Sequence, residues 1–362
     1  PIQWGRVNLS ITPRSSAFTF KNRKATIQEI GSELSARYVM TGSLRKSGER
    51  IRLSVQLADV ETGETLWTTR YDRMLDDIFA VQDEITLTIA TALQVKLTEG
   101  EQALLRYTTT NNIEAWTLFT QGLSHFRTVS ADTYRQARKC FDEALRHDPD
   151  SAQIHAMLAC TLAIQGRFHW VDARDETLDL AKACADRALE IDPDNADAWA
   201  ALGYWHMSYL RLEESVAAYR KASTLAPEHA DLHALSALAL TFAEQPEEAI
   251  SAVRTAMKLN PMGPGWYYGI LGHAQRYAGR FDEALETLSG YNRRSPGFGL
   301  VDMVLTCADM EDMDTAREHA VALLAARPEF TIEQWALTQN CLDPERLARD
   351  RKSLVEAGLP LV

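Results

Sequence analysis

The chain has 362 residues, of which 46% are hydrophobic and 24% are charged, as in an ordinary folded protein. This length admits two domains or one long helical array, and no stretch reaches the roughly 18 apolar residues of a membrane span. The net charge of −12 is uneven: residues 1–73 hold 12 Lys and Arg against 7 Asp and Glu, a net of +5, so the remainder carries −17. The acidic majority argues against a nucleic-acid-binding surface on the later residues.

The first hundred residues alternate between apolar and polar side chains in the manner of β-strands. From Ile51 to Leu57 every second side chain is apolar, and the turn-forming Ser47-Gly48-Glu49 just before them predicts a hairpin. We predict a small α/β module over residues 1–76 that looks incomplete at its start. Its predicted elements are strands Val7–Thr12, Tyr38–Lys46, Arg50–Val60 and Thr65–Tyr71, and a helix Ile27–Ala36.

A helix and a linker are predicted for residues 77–111. Asp76 and Asp77 are suited to cap the start of this helix. Its apolar face would carry Ile78, Val81, Ile85, Ile89 and Leu93.

Prolines punctuate the rest of the chain at nearly regular intervals of 44, 34, 34, 35 and 32 residues. A period of about 34 is typical of tetratricopeptide hairpins. Small residues such as Gly203 recur where two helices would cross, and large ones such as Tyr219 would fill the gap to the next helix. We therefore predict about six helical hairpins over residues 112–330. The prolines are Pro149, Pro193, Pro227, Pro261, Pro296 and Pro328.

Two segments depart from this period. The second repeat is ten residues longer than the usual 34, and we predict an elongated loop between its helices at Gly166–Trp170. Residues 331–362 lack the repeat and are predicted to form a cap, with a helix that carries Leu347, Leu354, Val355 and Leu359. The predicted fold class is α+β: a small α/β module, then an all-α tetratricopeptide solenoid with a C-terminal cap.

Two resemblances accompany these patterns. The helical region resembles the tetratricopeptide family over about 220 residues. The first region is similar to the TolB amino-terminal-like domain at Tyr38–Lys46, Leu66–Arg73 and Asp76–Ile85. In bacterial signalling proteins, that resemblance implies an output domain before this pair of modules, either a class III adenylate cyclase or a winged-helix DNA-binding domain. Neither the cyclase metal-binding aspartates nor a winged helix occurs in this chain.

No motif in the chain predicts a catalytic, cofactor-binding or metal-binding residue. His229 and His233 have zinc-compatible spacing, but no third ligand is evident, and His233 takes the repeat position of Trp199, which favours packing. The five cysteines are widely spaced, which favours buried thiols in a reducing compartment over disulfides. The chain by itself is therefore predicted not to be an enzyme.

The first helix of each predicted hairpin should line a concave groove that suits a docked protein segment or peptide. The alternative is that the chain's own cap or α/β module fills this groove. The groove-facing offsets that the tetratricopeptide resemblance implies give Asp197 and Asp231 at the start of the groove. The same offsets give the candidate partner-binding residues Tyr204, Met207, Leu238, Phe242, Trp266, His273, Arg276 and Tyr277.

The function that these patterns favour is protein interaction or regulation within a bacterial signalling protein. One alternative is the C-terminal part of an adenylate cyclase or winged-helix regulator whose output domain lies upstream. Another is a small-molecule sensor that acts through the α/β module. The chain begins with Pro1 and no signal peptide, from which we expect a natural start further upstream and a cytoplasmic location.

Overall fold

The structure is a computed structural model that describes residues 12, 14–21, 23–48, 50–74, 110, 112–126, 128–261, 263–341 and 343–362. The chain separates into two compact units, residues 1–116 and residues 117–362.

Three antiparallel strands form the sheet of the first unit, in the order β1-β2-β3. The β1–β2 hairpin turns at Gly48, whose φ of +60° glycine adopts without strain. The three strands predicted over residues 38–71 are confirmed to within a few residues. The predicted strand Val7–Thr12, apart from Thr12, and the predicted helix after Asp76 lie outside the described residues. The strands are β1 (Tyr38–Ser47), β2 (Arg50–Asp59) and β3 (Thr65–Met74).

Two short helices, α1 (Arg14–Phe18) and α2 (Ile27–Leu34), precede the sheet. A capping box starts α2: the Glu29 N–H donates to Thr26 Oγ1 at 3.2 Å, and the Thr26 N–H donates to Glu29 Oε2 at 2.7 Å. The helix ends two residues before its predicted end, because Ser35 takes a left-handed conformation with φ of +52°.

Six helical hairpins follow, so the predicted tetratricopeptide-type repeat is confirmed. None of the helices in the described part of the chain combines the length and apolar character that a bilayer crossing needs. The first helices are α3 (Ile113–Phe126), α5 (Ala152–Arg167), α7 (Ala196–Ser208), α9 (Ala230–Phe242), α11 (Trp266–Tyr277) and α13 (Leu300–Asp309). The second helices are α4 (Ala131–His147), α6 (Arg174–Ile191), α8 (Leu212–Leu225), α10 (Pro246–Leu259), α12 (Phe281–Arg294) and α14 (Met313–Ala326).

The first helices of successive hairpins form one row. From α5 to α13, each packs against the first helix of the next hairpin. In the described ranges, the second helices make no comparable contact with one another. Because one row is closely spaced and the other is spread, the hairpin array curves, and the first helices lie on its concave side.

A ring N–H fixes the turn between several hairpins. On the first helix of three hairpins, the same repeat position carries a side chain whose ring nitrogen donates to the carbonyl of the preceding inter-repeat proline. His233 thus uses Nε2 for the bond that Trp199 makes with Nε1. The pairs are His155 with Pro149 at 2.9 Å, Trp199 with Pro193 at 3.1 Å, and His233 with Pro227 at 2.8 Å.

The extra length of the second hairpin lies mostly in its helices, so the predicted elongated loop at Gly166–Trp170 is confirmed only in part. Helices α5 and α6 have 16 and 18 residues, against 13 and 14 in α7 and α8. The connection at 168–173 has six residues, against three in its counterpart at 209–211. The first residues of the predicted loop continue α5 because Gly166 packs tightly against Leu178 of α6.

Residues 331–362 are hereafter called the C-terminal segment, and they cap the last hairpin. They contain helices α15 (Ile332–Ala336) and α16 (Pro344–Glu356), and the Ile332 N–H donates to the Pro360 carbonyl at 2.9 Å. Leu354 and Leu359 are buried in the same cluster as Leu305 and Leu323 of the last hairpin. The predicted cap is therefore present, although Val355, placed on its apolar face, is exposed.

Gly203 allows the close crossing of α7 and α8. A Cβ atom at this position would lie 2.7 Å from the ring of Tyr219, which is fully buried. A glycine at this crossing is therefore required by the volume of the facing tyrosine.

We expect Gly203→Ala to lower the free energy of unfolding by about 1–3 kcal/mol, because the tyrosine ring has no space into which it can move. The measurement is the midpoint of urea unfolding, followed by circular dichroism. Gly290→Ala is the matched control: the nearest atoms to a Cβ there are arginine side-chain ends at 3.7 Å. That variant should be neutral or stabilised by up to about 1 kcal/mol, since alanine favours the helix. Equal midpoints for the two variants would contradict this account of the crossing.

Candidate interaction groove

The groove is the concave face formed by the first helices, and the eight predicted partner-binding residues all lie on α7, α9 and α11. Half of them are already covered by the chain itself. Buried are Tyr204, Met207, Phe242 and Arg276; half-buried are Leu238, Trp266, His273 and Tyr277.

The C-terminal segment crosses the carboxyl-terminal ends of several first helices. Asn340 contacts the ends of α5 and α7, and Asp350, further along the segment, contacts the end of α11. These contacts are made by specific polar side chains, so part of the groove already holds a polypeptide segment.

Arg276, at the end of α11, makes the strongest of these contacts. Its Nη1 and Nη2 donate to the two carboxylate oxygens of Asp350 at 3.1 and 2.5 Å, and its Nε donates to Asp309 at 2.7 Å. Burial acts to lower the pKa of Arg276, but the two carboxylates outweigh it and leave the pKa raised. The guanidinium therefore stays charged, and two acidic partners neutralise it.

Tyr277 lies beside Arg276 and contacts a part of the segment that precedes Asp350. The guanidinium of Arg346 stacks over its ring, 4.0 Å from the ring centre. Burial, followed by the neighbouring Cys341 thiol, raises the pKa of Tyr277, so the phenol remains protonated. Cation–π stacking and burial together hold the start of α16 on α11.

Asn340 ties the segment to two further helices. Its Oδ1 accepts a hydrogen bond from Arg167 Nε at 3.2 Å, and its Nδ2 donates to the Met207 carbonyl at 2.9 Å. Asn340 and Arg167 are both buried. Neither residue was among the predicted groove residues; the only sequence signal was a basic side chain at the end of an otherwise apolar first helix.

Carboxylates at the opposite end of the groove join neighbouring first helices instead of facing free space. Asp197 and Asp231, which were expected to face a partner, each accept a hydrogen bond from the first helix next to their own. The bonds run from Gln153 to Asp197 at 2.6 Å, from Tyr267 to Asp231, and from His273 to Asp302 at 2.8 Å.

Aromatic rings connect the middle of the groove. His273 lies edge-on to Phe242, with ring centres 5.5 Å apart, and 4.7 Å from the ring of Tyr277. Trp266 packs at right angles to Tyr267 at 4.5 Å and remains half-buried. The partly exposed rings of Trp266 and Tyr277 offer apolar area with an accessible edge, which suits protein contacts.

The surface combines charged, aromatic and amide groups. It offers a cation held between carboxylates, stacked rings, and a side-chain amide bonded to the backbone. Within the described ranges, no group of three or more His, Cys, Asp or Glu residues could hold a metal ion.

Comparisons with known proteins give partial matches. The family model of regulator of microtubule dynamics protein 1-3 matches residues 126–218. A putative adenylate cyclase 3 of Rhizobium meliloti (strain 1021) is 40% identical over 151 residues, which is 42% of this chain and 26% of that protein. The match thus spans about a quarter of the length of that relative.

Several solved structures resemble the helical part at low identity. YrrB, a TPR protein with an unusual peptide-binding site, is 23% identical, covering 52% of this chain and 93% of that one, with a TM-score of 0.38. Pseudomonas aeruginosa PilF is 20% identical, covering 60% and 93%, with a TM-score of 0.43. PilW, a type IV pilus biogenesis factor, is 20% identical, covering 60% and 96%, with a TM-score of 0.46.

We expect Asp350→Asn to loosen the C-terminal segment by about 2 kcal/mol, because Arg276 then loses one of its charged partners while buried. Hydrogen exchange followed by mass spectrometry should show faster exchange of the amides in residues 337–356, by roughly 30-fold.

Arg349→Gln is the control for this change, since Arg349 pairs with Asp343 at 3.6 Å and is 62% exposed. An exposed pair of this kind contributes less than about 1 kcal/mol, so exchange should stay close to that of the wild type. Wild-type exchange rates in Asp350→Asn would show that the ion pair does not hold the segment.

Proposed function

We propose that this chain is a non-catalytic, protein-interaction and regulatory region of a bacterial signalling protein. Its groove binds a protein segment, either a peptide of a partner or an intramolecular one. The observation that carries this proposal is the set of contacts between the groove and the C-terminal segment.

Those contacts have the features of peptide recognition. A buried guanidinium takes a carboxylate with two hydrogen bonds, which is the arrangement that fixes both position and identity. The buried Asn340 donates a hydrogen bond to a backbone carbonyl, and the guanidinium of Arg346 stacks on the ring of Tyr277. Sites of this kind concentrate binding energy in a few residues near the centre of a surface.

Regulation follows from the covalent attachment of the occupant. A tethered segment meets its groove at an effective concentration in the millimolar range, so a partner must bind more tightly than the segment to displace it. Release of the segment would uncover Arg276 and Tyr277 together, because one stretch of chain covers both. The groove would then exchange one occupant for another and report that exchange to the rest of the protein, in the cytoplasm.

The partial match to a putative adenylate cyclase favours a second, compatible candidate. In it, this chain is the C-terminal part of a class III adenylate cyclase, or of a winged-helix regulator, and its output domain precedes these residues. The catalytic activity would then belong to the preceding domain, and the groove would control it.

We expect a labelled peptide with the sequence of residues 337–356 to bind the full chain carrying Asp350→Asn. The peptide supplies the carboxylate that the variant's own segment lacks. Wild-type protein should bind it at least tenfold more weakly, because the tethered segment competes. Fluorescence anisotropy measures both affinities.

The matched control is the same peptide with asparagine in place of Asp350, which cannot pair with Arg276. It should bind the variant at least tenfold more weakly than the unchanged peptide. Equal binding of the two peptides, or equal binding by variant and wild type, would refute the groove as a segment-binding site.

The chain alone should produce no cyclic AMP from ATP and Mg²⁺, since no catalytic constellation was found in its sequence. Incubation of the purified chain followed by chromatography of the nucleotides checks this expectation. A rate that grows with protein concentration and survives repurification would place an active site within these residues.

A further inference from the structure

Arg167 is a buried cation whose charge has no acidic partner among the described residues. Its residue surface is 8% exposed, and its one hydrogen bond there is the bond from Nε to Asn340. Burial lowers the pKa of Arg167, although a guanidinium remains charged in proteins. The terminal nitrogens Nη1 and Nη2 have no bonding partner in the described ranges.

The comparison with Arg276 shows what is missing. Both arginines end a first helix of the concave row, and both are covered by the C-terminal segment. Arg276 has two carboxylates within 3.1 Å, whereas Arg167 has only the neutral amide of Asn340. Burying a cation without a counter-charge is strongly unfavourable, so an anion is expected there.

The guanidinium of Arg167 is held in a fixed orientation. Its central carbon lies 4.8 Å from the ring centre of Phe168, which in turn stacks on Trp170 at 5.0 Å and 19°. The N–H of Nε is already used in the hydrogen bond to Asn340. The two Nη atoms therefore form the one edge of the fork that is left for another acceptor.

One unpaired polar atom belongs to the same interior. The hydroxyl of Tyr219 is buried without a hydrogen-bond partner in the described part of the chain, and Tyr219 is fully buried. It lies close enough to Arg167 for the two groups to interact electrostatically, as does the phenol of Tyr204. Burial is the main cause that raises the pKa of Tyr219, so its hydroxyl is a donor. Buried donors of this kind normally have a partner.

We propose that the Nη edge of Arg167, within electrostatic range of the Tyr219 hydroxyl, is a binding site for a carboxylate monoanion. A planar carboxylate matches the two parallel N–H groups of a guanidinium edge. One negative charge balances the one unpaired cation, whereas a phosphate dianion would leave a net charge buried. This site does not depend on the function proposed for the groove.

A carboxylate at this site would also strengthen the hold of the C-terminal segment. Asn340 binds the same guanidinium from the segment side, and an anion on the Nη edge fixes that guanidinium in place. A small carboxylate and the segment would therefore bind cooperatively, each improving the affinity for the other.

The test is a thermal-unfolding titration of the full chain with sodium acetate, at constant ionic strength kept with sodium chloride. We expect the Tm to rise with the logarithm of the acetate concentration once that concentration exceeds the Kd, by about 3 °C at ten times the Kd. Arg167→Met should abolish this rise, and Tyr219→Phe should raise the Kd severalfold while leaving the fold intact. Arg211→Met, which removes an exposed cation of the neighbouring turn, is the control and should respond like the wild type.

Hydrogen exchange of residues 337–341 gives a second readout: acetate should slow it in the wild type and in Arg211→Met. A rise in Tm that persists in Arg167→Met, an unchanged Kd in Tyr219→Phe, or a rise that chloride reproduces would overturn the site. If acetate raises the Tm no more than sodium chloride does, or if acetate does not slow hydrogen exchange, the site is also overturned. The same titration is repeated with sodium phosphate. A larger rise in Tm with phosphate than with acetate would refute the assignment to a carboxylate.

Discussion

The structure depends on one constraint: a helical hairpin cannot bury its apolar face alone and must pack against the next. The stack must also end, and its last hairpin is closed by Leu354 and Leu359 of the C-terminal segment. To reach that position, the chain first passes the ends of the preceding first helices. Capping the stack and covering the groove are therefore done by one continuous piece of chain, which couples stability to the accessibility of the binding surface.

Electrostatics divides the covered part of the groove into two different contacts. At Arg276, the segment and α13 each supply a carboxylate, and the charge is balanced within the chain. At Arg167, the segment supplies only the amide of Asn340, and the charge is not balanced by the described residues. The first contact is an ion pair in which a carboxylate of a competing acidic segment could take the place of Asp350. The second behaves as an incomplete site whose remaining acceptor comes from outside the chain.

The repeat could be predicted from the sequence because its causes are local. Prolines stop helices, and small residues such as Gly203 mark crossings wherever they occur in the chain. The predicted groove positions also fell on the first helices, since repeat offsets carry over from one hairpin to the next. The burial of those positions could not be predicted. It depends on contacts between residues that are 74 and 173 positions apart, Arg276 with Asp350 and Arg167 with Asn340.

The sequence by itself determined the sheet strands, the number and spacing of the hairpins, and the presence of a cap, because these follow from short-range patterns of polarity and turn residues. It also gave candidate groove residues that lie on the first helices. Only the tertiary structure decided that the C-terminal segment lies across that groove, and that one buried arginine is paired while the other is not. The physical reason is that burial and charge pairing arise between distant parts of the chain, for which no local pattern exists.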